Sequence, residues 1–430
     1  EVDRARSGRG ASVVVLAAAL LTAGGAAAQQ TITYTNNENR IQGVDVPAST
    51  DTAELNVADT FMATQAGLIQ GAGSVTKTGD GLLVIGTRTL GSATANTYSG
   101  GTTLDAGTLE VTHGGSLGTG VLTINGGTLR GGVTLANDIV VNSSFAVDPL
   151  DNNSTPASAE NGLTLNGNVA LTTNATISFT SPPSSLTYLV SMGGIISGNQ
   201  SLTFRATAAA PFWADVDFIG SQSNTYTGLT TIEGPMLLAL RRTGGATSIA
   251  GDVLVQSGAS LALGENEQIA DTSTVTVNTT VGPTVTIAGQ TTTLAGLVFF
   301  NPGLTETIGT LLGSGTIDLG SSTLRVGAGD FSGVISEGGR VIGGSGTMVK
   351  YGSGLFTLSG ANSYTGGTRV EGGTLQVANN RAVGTGGVTL AGGTTLAYDS
   401  TRMSELANAI TLAGNATLDV ATGDVRQSGA

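Results

Sequence analysis

The sequence has 430 residues, of which 67 are glycine and 9 are proline, with no cysteine and 1 histidine. The glycines follow no triplet period, which excludes a collagen-type chain. The absence of cysteine excludes a domain held together by disulfides. With a single histidine as well, the chain has too few ligands for a zinc site. The net charge of −13 excludes a basic surface for nucleic acid, so we expect no metal, no small-molecule cofactor and no nucleic-acid partner.

The amino terminus has the composition of a secretory signal peptide. A basic start is followed by a short apolar core at residues 13–21 and by small residues that end at Ala28. We predict a signal peptide over residues 1–28, cleaved after Ala28, and export of the remaining chain. The apolar core is too short for a stable bilayer-spanning helix, although an amino-terminal membrane anchor stays open as the alternative.

From residue 29 onwards, apolar residues alternate with polar ones in short runs. Val388 and Leu390 precede a turn at residues 391–393, and Leu396 follows it. Such period-two runs between glycine-rich turns are typical of short β-strands. A single turn fits a β-hairpin, but repetition favours coils whose strands pair with the next coil. We predict an all-β fold, a right-handed parallel β-helix over residues 29–430, with a hairpin-rich β-sandwich or barrel as the alternative.

One block of sequence recurs three times, near residues 68–130, 192–265 and 331–398. Self-similarity of this kind indicates a stacked array, and the second copy is the degenerate one. We predict a structural role, in which each tyrosine packs against a glycine and each asparagine caps a turn; an exposed sugar-binding stripe of tyrosines is the alternative. The recurring residues are Asn96, Tyr98, Gly100, Gly101, Asn224, Tyr226, Gly228, Asn362, Tyr364, Gly366 and Gly367.

The third copy, Leu-Ser-Gly-Ala-Asn-Ser-Tyr-Thr-Gly-Gly-Thr at residues 358–368, resembles the passenger-associated transport repeat of bacterial autotransporters, the type V secretion family. The first copy departs from that pattern by an insertion at residues 87–95, and the second lacks the Ser-Gly-Ala lead. The resemblance implies an exported passenger fragment, at the cell surface and outer membrane or outside the cell, with a carboxy-terminal β-barrel translocator beyond this chain. It implies a scaffold or stalk that supports secretion and display, with host or neighbouring-cell surfaces as partners in adhesion.

Ser116 lies in a Gly-x-Ser-x-Gly pattern, three residues after His113, the sole histidine. A nucleophile elbow needs a strand-to-helix turn and a distant histidine. The pattern also arises readily by chance in a glycine-rich chain. We therefore predict no catalysis by this pair.

A second group, Asp215 and Asp217, lies next to Phe212 and Trp213. Paired carboxylates of this kind occur in glycosidases, so a β-helical carbohydrate-active lyase or hydrolase is the alternative function. Residues two apart on a strand share one face, and we expect that face to be solvated. We predict no catalytic residue, and hence a non-enzyme, with Phe212, Trp213, Asp215 and Asp217 as candidate partner contacts.

Overall fold

The computed structural model describes residues 27–86, 95–149, 162–179, 188–207, 214–287, 290–338 and 344–429. Residues 1–26 of the predicted signal peptide, together with Phe212 and Trp213, lie outside these ranges. Within them every regular element is a β-strand, and none of their segments forms a helix long and apolar enough to cross a bilayer.

The strands are short and stack into three main sheets. The first sheet contains Gln29–Tyr34, Thr52–Val57, Ser74–Thr78, Thr102–Leu104, Leu122–Ile124, Ile139–Val141, Val169–Leu171 and Ile196–Ser197. The third sheet contains Thr134–Leu135, Leu163–Leu165, Tyr188–Met192, Ala214–Phe218, Met236–Leu240, Ala259–Leu263, Gly296–Phe299, Thr316–Asp318 and Val334–Ser336.

The second sheet is the longest, because two nine-residue strands, Thr305–Gly313 and Thr323–Phe331, join two columns of shorter ones. Its other strands are Glu38–Arg40, Met62–Gln65, Leu82–Ile85, Thr108–Val111, Thr128–Gly131, Phe145–Pro149, Ala175–Phe179, Leu202–Ala206, Thr230–Glu233, Val253–Val255, Thr274–Val277, Thr347–Lys350, Leu355–Leu358, Thr368–Val370, Thr374–Val377, Val388–Leu390, Thr395–Tyr398, Ile410–Leu412 and Thr417–Val420. The remaining strands form pairs, Val44–Val46 with Ile69–Gly71, Thr284–Ile287 with Gln290–Thr293, and Glu405–Leu406 with Arg426–Gln427.

Successive coils pair in parallel and in register. Leu109, for example, lies beside Leu83 of the preceding coil and Leu129 of the following one. Among the described residues only Thr284–Ile287 and Gln290–Thr293 pair antiparallel. The chain is thus a β-solenoid of about fifteen turns, which confirms the parallel β-helix prediction and contradicts the hairpin-rich alternative.

The core lies inside the coils, because one side of each strand faces the axis. Leu122 and Ile124 are fully buried, whereas Thr123 between them is half-buried. Buried side chains of successive coils form one continuous cluster from Ile32 to Leu406. Each buried leucine or isoleucine contributes roughly 1.5–3 kcal/mol relative to an exposed one, so stacking of aliphatic side chains is the main source of stability.

Candidate functional site

Each recurring asparagine joins three successive coils. Asn362 Oδ1 accepts a hydrogen bond from the Ile335 N–H of the preceding coil at 2.8 Å, and Asn362 Nδ2 donates to the Ala382 carbonyl of the following coil at 2.5 Å. An unpaired buried polar group costs about 1–3 kcal/mol, so these bonds hold the coils in register. We call the three side chains the asparagine clamps. The other two clamps consist of Ile69 N to Asn96 Oδ1 (2.9 Å), Asn96 Nδ2 to Ser116 O (2.6 Å), Ile196 N to Asn224 Oδ1 (2.8 Å) and Asn224 Nδ2 to Ser248 O (2.8 Å).

Tyr98, Tyr226 and Tyr364 are 0% exposed. Burial raises the pKa of all three hydroxyls above the ordinary value, and a hydrogen bond to a threonine opposes that shift. Rings enclosed in this way offer no face to a sugar. The hydroxyl bonds are Tyr98 to Thr102 (2.5 Å), Tyr226 to Thr230 (2.8 Å) and Tyr364 to Thr368 (2.6 Å).

The tyrosines of the first and third copies each face a glycine of the next coil. Gly118 and Gly384 have φ of +60° and +68°, and a Cβ on either would lie 2.2 or 2.3 Å from the carbonyl oxygen of Tyr98 or Tyr364. Only glycine fits such a position without strain. The glycines of the recurring motif lie where coils meet: Gly100 near Gly73, Gly228 near Gln200, Gly366 near Gly346, Gly101 near Val121 and Gly367 near Gly387.

The second copy is displaced relative to the first. Tyr98 bonds Thr102 on the first sheet, whereas Tyr226 bonds Thr230 on the second sheet. Leu229 follows Gly228 where the other copies have a second glycine. The recurring tyrosines therefore form no single line along the rod.

Ser116 and His113 are engaged in turn formation. Ser116 Oγ donates to the Ile85 carbonyl at 3.0 Å and accepts from the His113 N–H at 3.1 Å. His113 Nδ1 accepts from the Gly115 N–H at 2.9 Å. No hydrogen bond joins the serine hydroxyl to the imidazole, so the pair lacks the contact that activates a nucleophile.

Asp215 and Asp217 lie on the outer side of the third-sheet strand Ala214–Phe218. Asp217 Oδ2 accepts from Arg241 Nη1 at 3.1 Å, and the Arg241 guanidinium lies 5.5 Å from the centre of the Phe300 ring. Among the described residues, neither Asp215 Oδ1 nor Asp217 Oδ1 has a hydrogen-bond partner, and both are buried. The expectation of a solvated face is wrong for Asp217, whose exposure is 7%.

The surroundings of Asp215 and Asp217 raise the pKa of both carboxyl groups. Burial raises the pKa of Asp215 to about 8, and the Asp217 carboxylate adds to the shift while Arg241 opposes it. Burial also raises the pKa of Asp217, again opposed by Arg241. A hydrolytic pair must present its oxygens to substrate, and Asp217 is buried with its Oδ2 bonded to Arg241, so the pair gives no support to a hydrolase. Nor, in the described ranges, do three or more histidine or acidic side chains gather closely enough to hold a metal ion.

The outer side of the third sheet carries a second apolar cluster that the sequence reasoning missed. Leu294, on the excursion that contains the antiparallel hairpin, packs there with residues of three neighbouring strands, and Ser260 Oγ donates to its carbonyl. The signal was the unbroken apolar run Met236–Leu240, since a strand without alternation is buried on both faces. The other members of the cluster are Leu237, Ala239, Ala262, Val298 and the half-buried Phe300.

At the predicted cleavage site, the first strand begins at Gln29, the residue that follows Ala28. The Ala28 carbonyl accepts from the Thr52 N–H at 3.0 Å, and the Ala28 N–H donates to Asp51 Oδ1 at 3.1 Å. Ala28 therefore adjoins the first strand and bonds to the second coil, and cleavage after it stays a prediction.

Comparison with known proteins agrees with the repeats seen in the fold. The family model of the passenger-associated transport repeat matches residues 75–111, 220–234 and 348–377. The chain is 38% identical over 95 residues to the BmaC autotransporter adhesin of Brucella suis biovar 1 (strain 1330), a stretch that covers 22% of this chain and 2% of that adhesin. No solved structure matches the chain. The chain thus carries passenger-associated transport repeats, and both matches support an autotransporter passenger.

Proposed function

We propose that the chain is an exported passenger segment that acts as an extracellular stalk, supporting secretion and display, with adhesive contacts on its outer surface. The asparagine clamps carry this proposal, because they commit the recurring residues to bonds between coils. About fifteen turns at roughly 4.8 Å per turn give a rod on the order of 70 Å long. The proposal includes removal of residues 1–28 and a carboxy-terminal β-barrel translocator beyond this chain.

The contact surface that we propose is the outer side of the third sheet around Asp217, Arg241 and Phe300. The Arg241 side chain is 40% exposed and lies over an aromatic ring, an arrangement that suits binding to another protein or to a glycan. Phe212 and Trp213, which precede the strand Ala214–Phe218 in the sequence, stay candidate partner contacts on the sequence alone. Host or neighbouring-cell surfaces are the partners of the proposed contact surface.

Display of the full-length protein on bacteria tests both parts of the proposal, which are export to the cell surface and adhesion. Protease treatment of intact cells should remove the chain and reduce attachment to host cells together with it. A chain that resists protease until the cells are lysed would contradict export. Unchanged attachment after complete removal would contradict the adhesive role.

A matched pair of variants tests the contact surface. Arg241→Ala should reduce attachment while surface exposure is unchanged. Arg325→Ala, which removes an arginine paired with Glu371 at 2.9 Å on the second sheet, should leave attachment at the unmodified level. Equal loss of attachment in both variants would mean that the contact surface lies elsewhere.

A further inference from the structure

Glu306 places a buried carboxyl group at a position that corresponds to the asparagine amide of the repeat blocks. Glu306 is 0% exposed, and its Oε1 accepts from the Ile269 N–H of the preceding coil at 2.7 Å. The asparagine clamps accept in the same way from the N–H groups of Ile69, Ile196 and Ile335. Glu306 therefore takes the place of a clamp, with an ionisable group in place of a neutral one.

The second oxygen of this carboxyl group is also bonded. Glu306 Oε2 accepts from the Gln268 N–H at 2.8 Å. The Gln268 side chain in turn accepts from the Arg242 N–H at 3.0 Å and donates to the Arg242 carbonyl at 3.0 Å. The Glu306 carboxyl group is thus the last member of a series of polar contacts that links successive coils inside the rod.

The charges around Glu306 do not neutralise it. In the part of the chain that the structure describes, no ion pair includes Glu306, and the carboxylates of Glu267 and Asp271 repel its negative charge. Arg242 reaches it only through Gln268, by way of backbone atoms. On the next strand of the second sheet, Arg325 pairs with Glu371. The Tyr351 hydroxyl also faces this region, and donates to the carbonyls of Asp271 and Ile308, both at 3.2 Å.

We propose that Glu306 makes the contact between residues 268–269 and the strand Thr305–Gly313 a proton-operated joint of the rod, closed when its carboxyl group is protonated and loosened when it is ionised. A protonated carboxyl keeps its carbonyl oxygen for the Ile269 N–H, and its hydroxyl oxygen, unlike the NH2 of an amide, still accepts from the Gln268 N–H, so both bonds remain without a buried charge. An ionised one places an unpaired charge in the interior, which is costly. The amide clamps elsewhere cannot titrate, so the effect is local. This inference goes beyond the stalk and contact functions proposed above.

The direction of the pH dependence follows from the surroundings of the group. Burial raises the pKa of Glu306 well above its ordinary value of 4.5, the neighbouring carboxylates add to the shift, and the two N–H donors oppose it. Between the two values the native state holds a proton that the unfolded chain has lost. Stability is therefore full below the ordinary pKa and is lost as the pH rises through the raised one.

Hydrogen exchange on the full chain tests the joint directly. We expect protection of the Gln268 and Ile269 amides, corrected for the intrinsic effect of pH, to fall measurably from pH 5.5 to pH 8.5, because the native state loses its stabilising proton as the pH rises through the raised pKa of Glu306. Ile335, which is capped by an amide, should keep its protection. Equal protection of Ile269 at both pH values would overturn the proposal.

Two reciprocal variants separate titration from packing. Glu306→Gln lowers protection at both pH values, because its amide faces a second donor, but it should abolish the difference between them. Asn362→Asp should create at Ile335 the pH dependence that the unmodified chain shows at Ile269. A pH dependence at Ile269 that persists in Glu306→Gln contradicts the proposal. If that variant does not fold, Asn362→Asp decides: no pH dependence at Ile335 then overturns it.

Discussion

Lys77 and Lys350 place their ammonium groups in equivalent cages of three backbone carbonyl oxygens, one in the first repeat block and one in the third. Lys77 Nζ donates to Thr78, Gly79 and Ala106 at 2.8, 2.6 and 3.0 Å. Lys350 Nζ donates to the carbonyls of Tyr351, Gly352 and Gly372 at 2.6, 3.0 and 3.0 Å. Both side chains are buried, and they are the only lysines in the sequence.

Amine acylation should therefore distinguish the folded chain from the unfolded one. In the native state we expect a reagent such as an N-hydroxysuccinimide ester to modify the terminal amine alone, because the coils shield both lysines. After denaturation both should react. Peptide mass spectrometry measures the modified fraction at each site, and rapid native modification of Lys77 or Lys350 would contradict the enclosed geometry.

The same lysines predict a pH dependence with the sign opposite to that of Glu306. Burial lowers the pKa of Lys77 and of Lys350 from 10.5 to about 8. Between about pH 8 and 10.5 the unfolded chain holds more protons, so the lysines make the free energy of unfolding rise with pH in that window. Comparing the unmodified chain with Lys350→Met isolates this contribution, and identical slopes in the two proteins would refute it.

Loss of an asparagine clamp should destabilise the coils that it joins. Asn362→Ala leaves the Ile335 N–H and the Ala382 carbonyl buried without their partner, at a cost of about 3 kcal/mol. Asn125→Ala is the control, because the Asn125 side chain makes only exposed bonds, donating to Asp105 and accepting from Asn142, and we expect a change within about 0.5 kcal/mol. Denaturant unfolding measures both; a similar loss in the two variants would count against the clamp.

Two glycine substitutions separate steric conflict from backbone strain. Gly384 and Gly393 both have positive φ, +68° and +78°, but only Gly384 has the Tyr364 carbonyl 2.3 Å from an added Cβ, while nothing lies within 4 Å at Gly393. Gly393→Ala should cost about 1–2 kcal/mol for its backbone conformation. Gly384→Ala should cost about 2 kcal/mol more through overpacking, and equal thermal shifts would argue against the tyrosine contact.

The Asp217–Arg241 contact should couple more strongly than an exposed ion pair. Arg241→Ala and Asp217→Asn, singly and together, form a double-mutant cycle for which we expect about 1–2 kcal/mol, because the carboxylate is buried and the guanidinium partly exposed. Arg205 and Glu233 form the control pair, with side chains 51% and 24% exposed, and should couple by less than about 1 kcal/mol. A coupling energy between Asp217 and Arg241 that is smaller than that of the control pair would contradict the burial of Asp217.

The alternation of apolar and polar residues along each strand was enough to predict which residues lie on the inner side of the coils. Leu122 and Ile124 lie inside as their spacing predicts, because a strand in a solenoid has one side facing the axis. The recurrence of the Asn-x-Tyr motif likewise predicted a stacked array, since identical coils bury identical side chains. The part of the fold that repeats is the part that could be predicted.

The outer side of the rod could not be derived in that way. Asp217 has the spacing of an exposed residue, but Arg241 pairs with it, and the outer apolar cluster, which includes Leu294 from a distant part of the sequence, begins on the neighbouring strand. Lys77 aligns with Leu55 and Leu104 on the inner side, where charge alone predicts exposure. Such exceptions depend on contacts between coils that no local pattern records.

The three-coil span of each asparagine clamp has a consequence for the order of assembly. Asn362 can accept from Ile335 as soon as its own coil forms, but its Nδ2 waits for Ala382, which enters one coil later. In a rod that grows from its amino-terminal end, the asparagine of the outermost repeat therefore has only one of its two hydrogen bonds until the next coil forms. When the next coil forms, Nδ2 gains its acceptor, and unfolding of that coil must then break this bond as well, so each completed clamp opposes unfolding from the growing end.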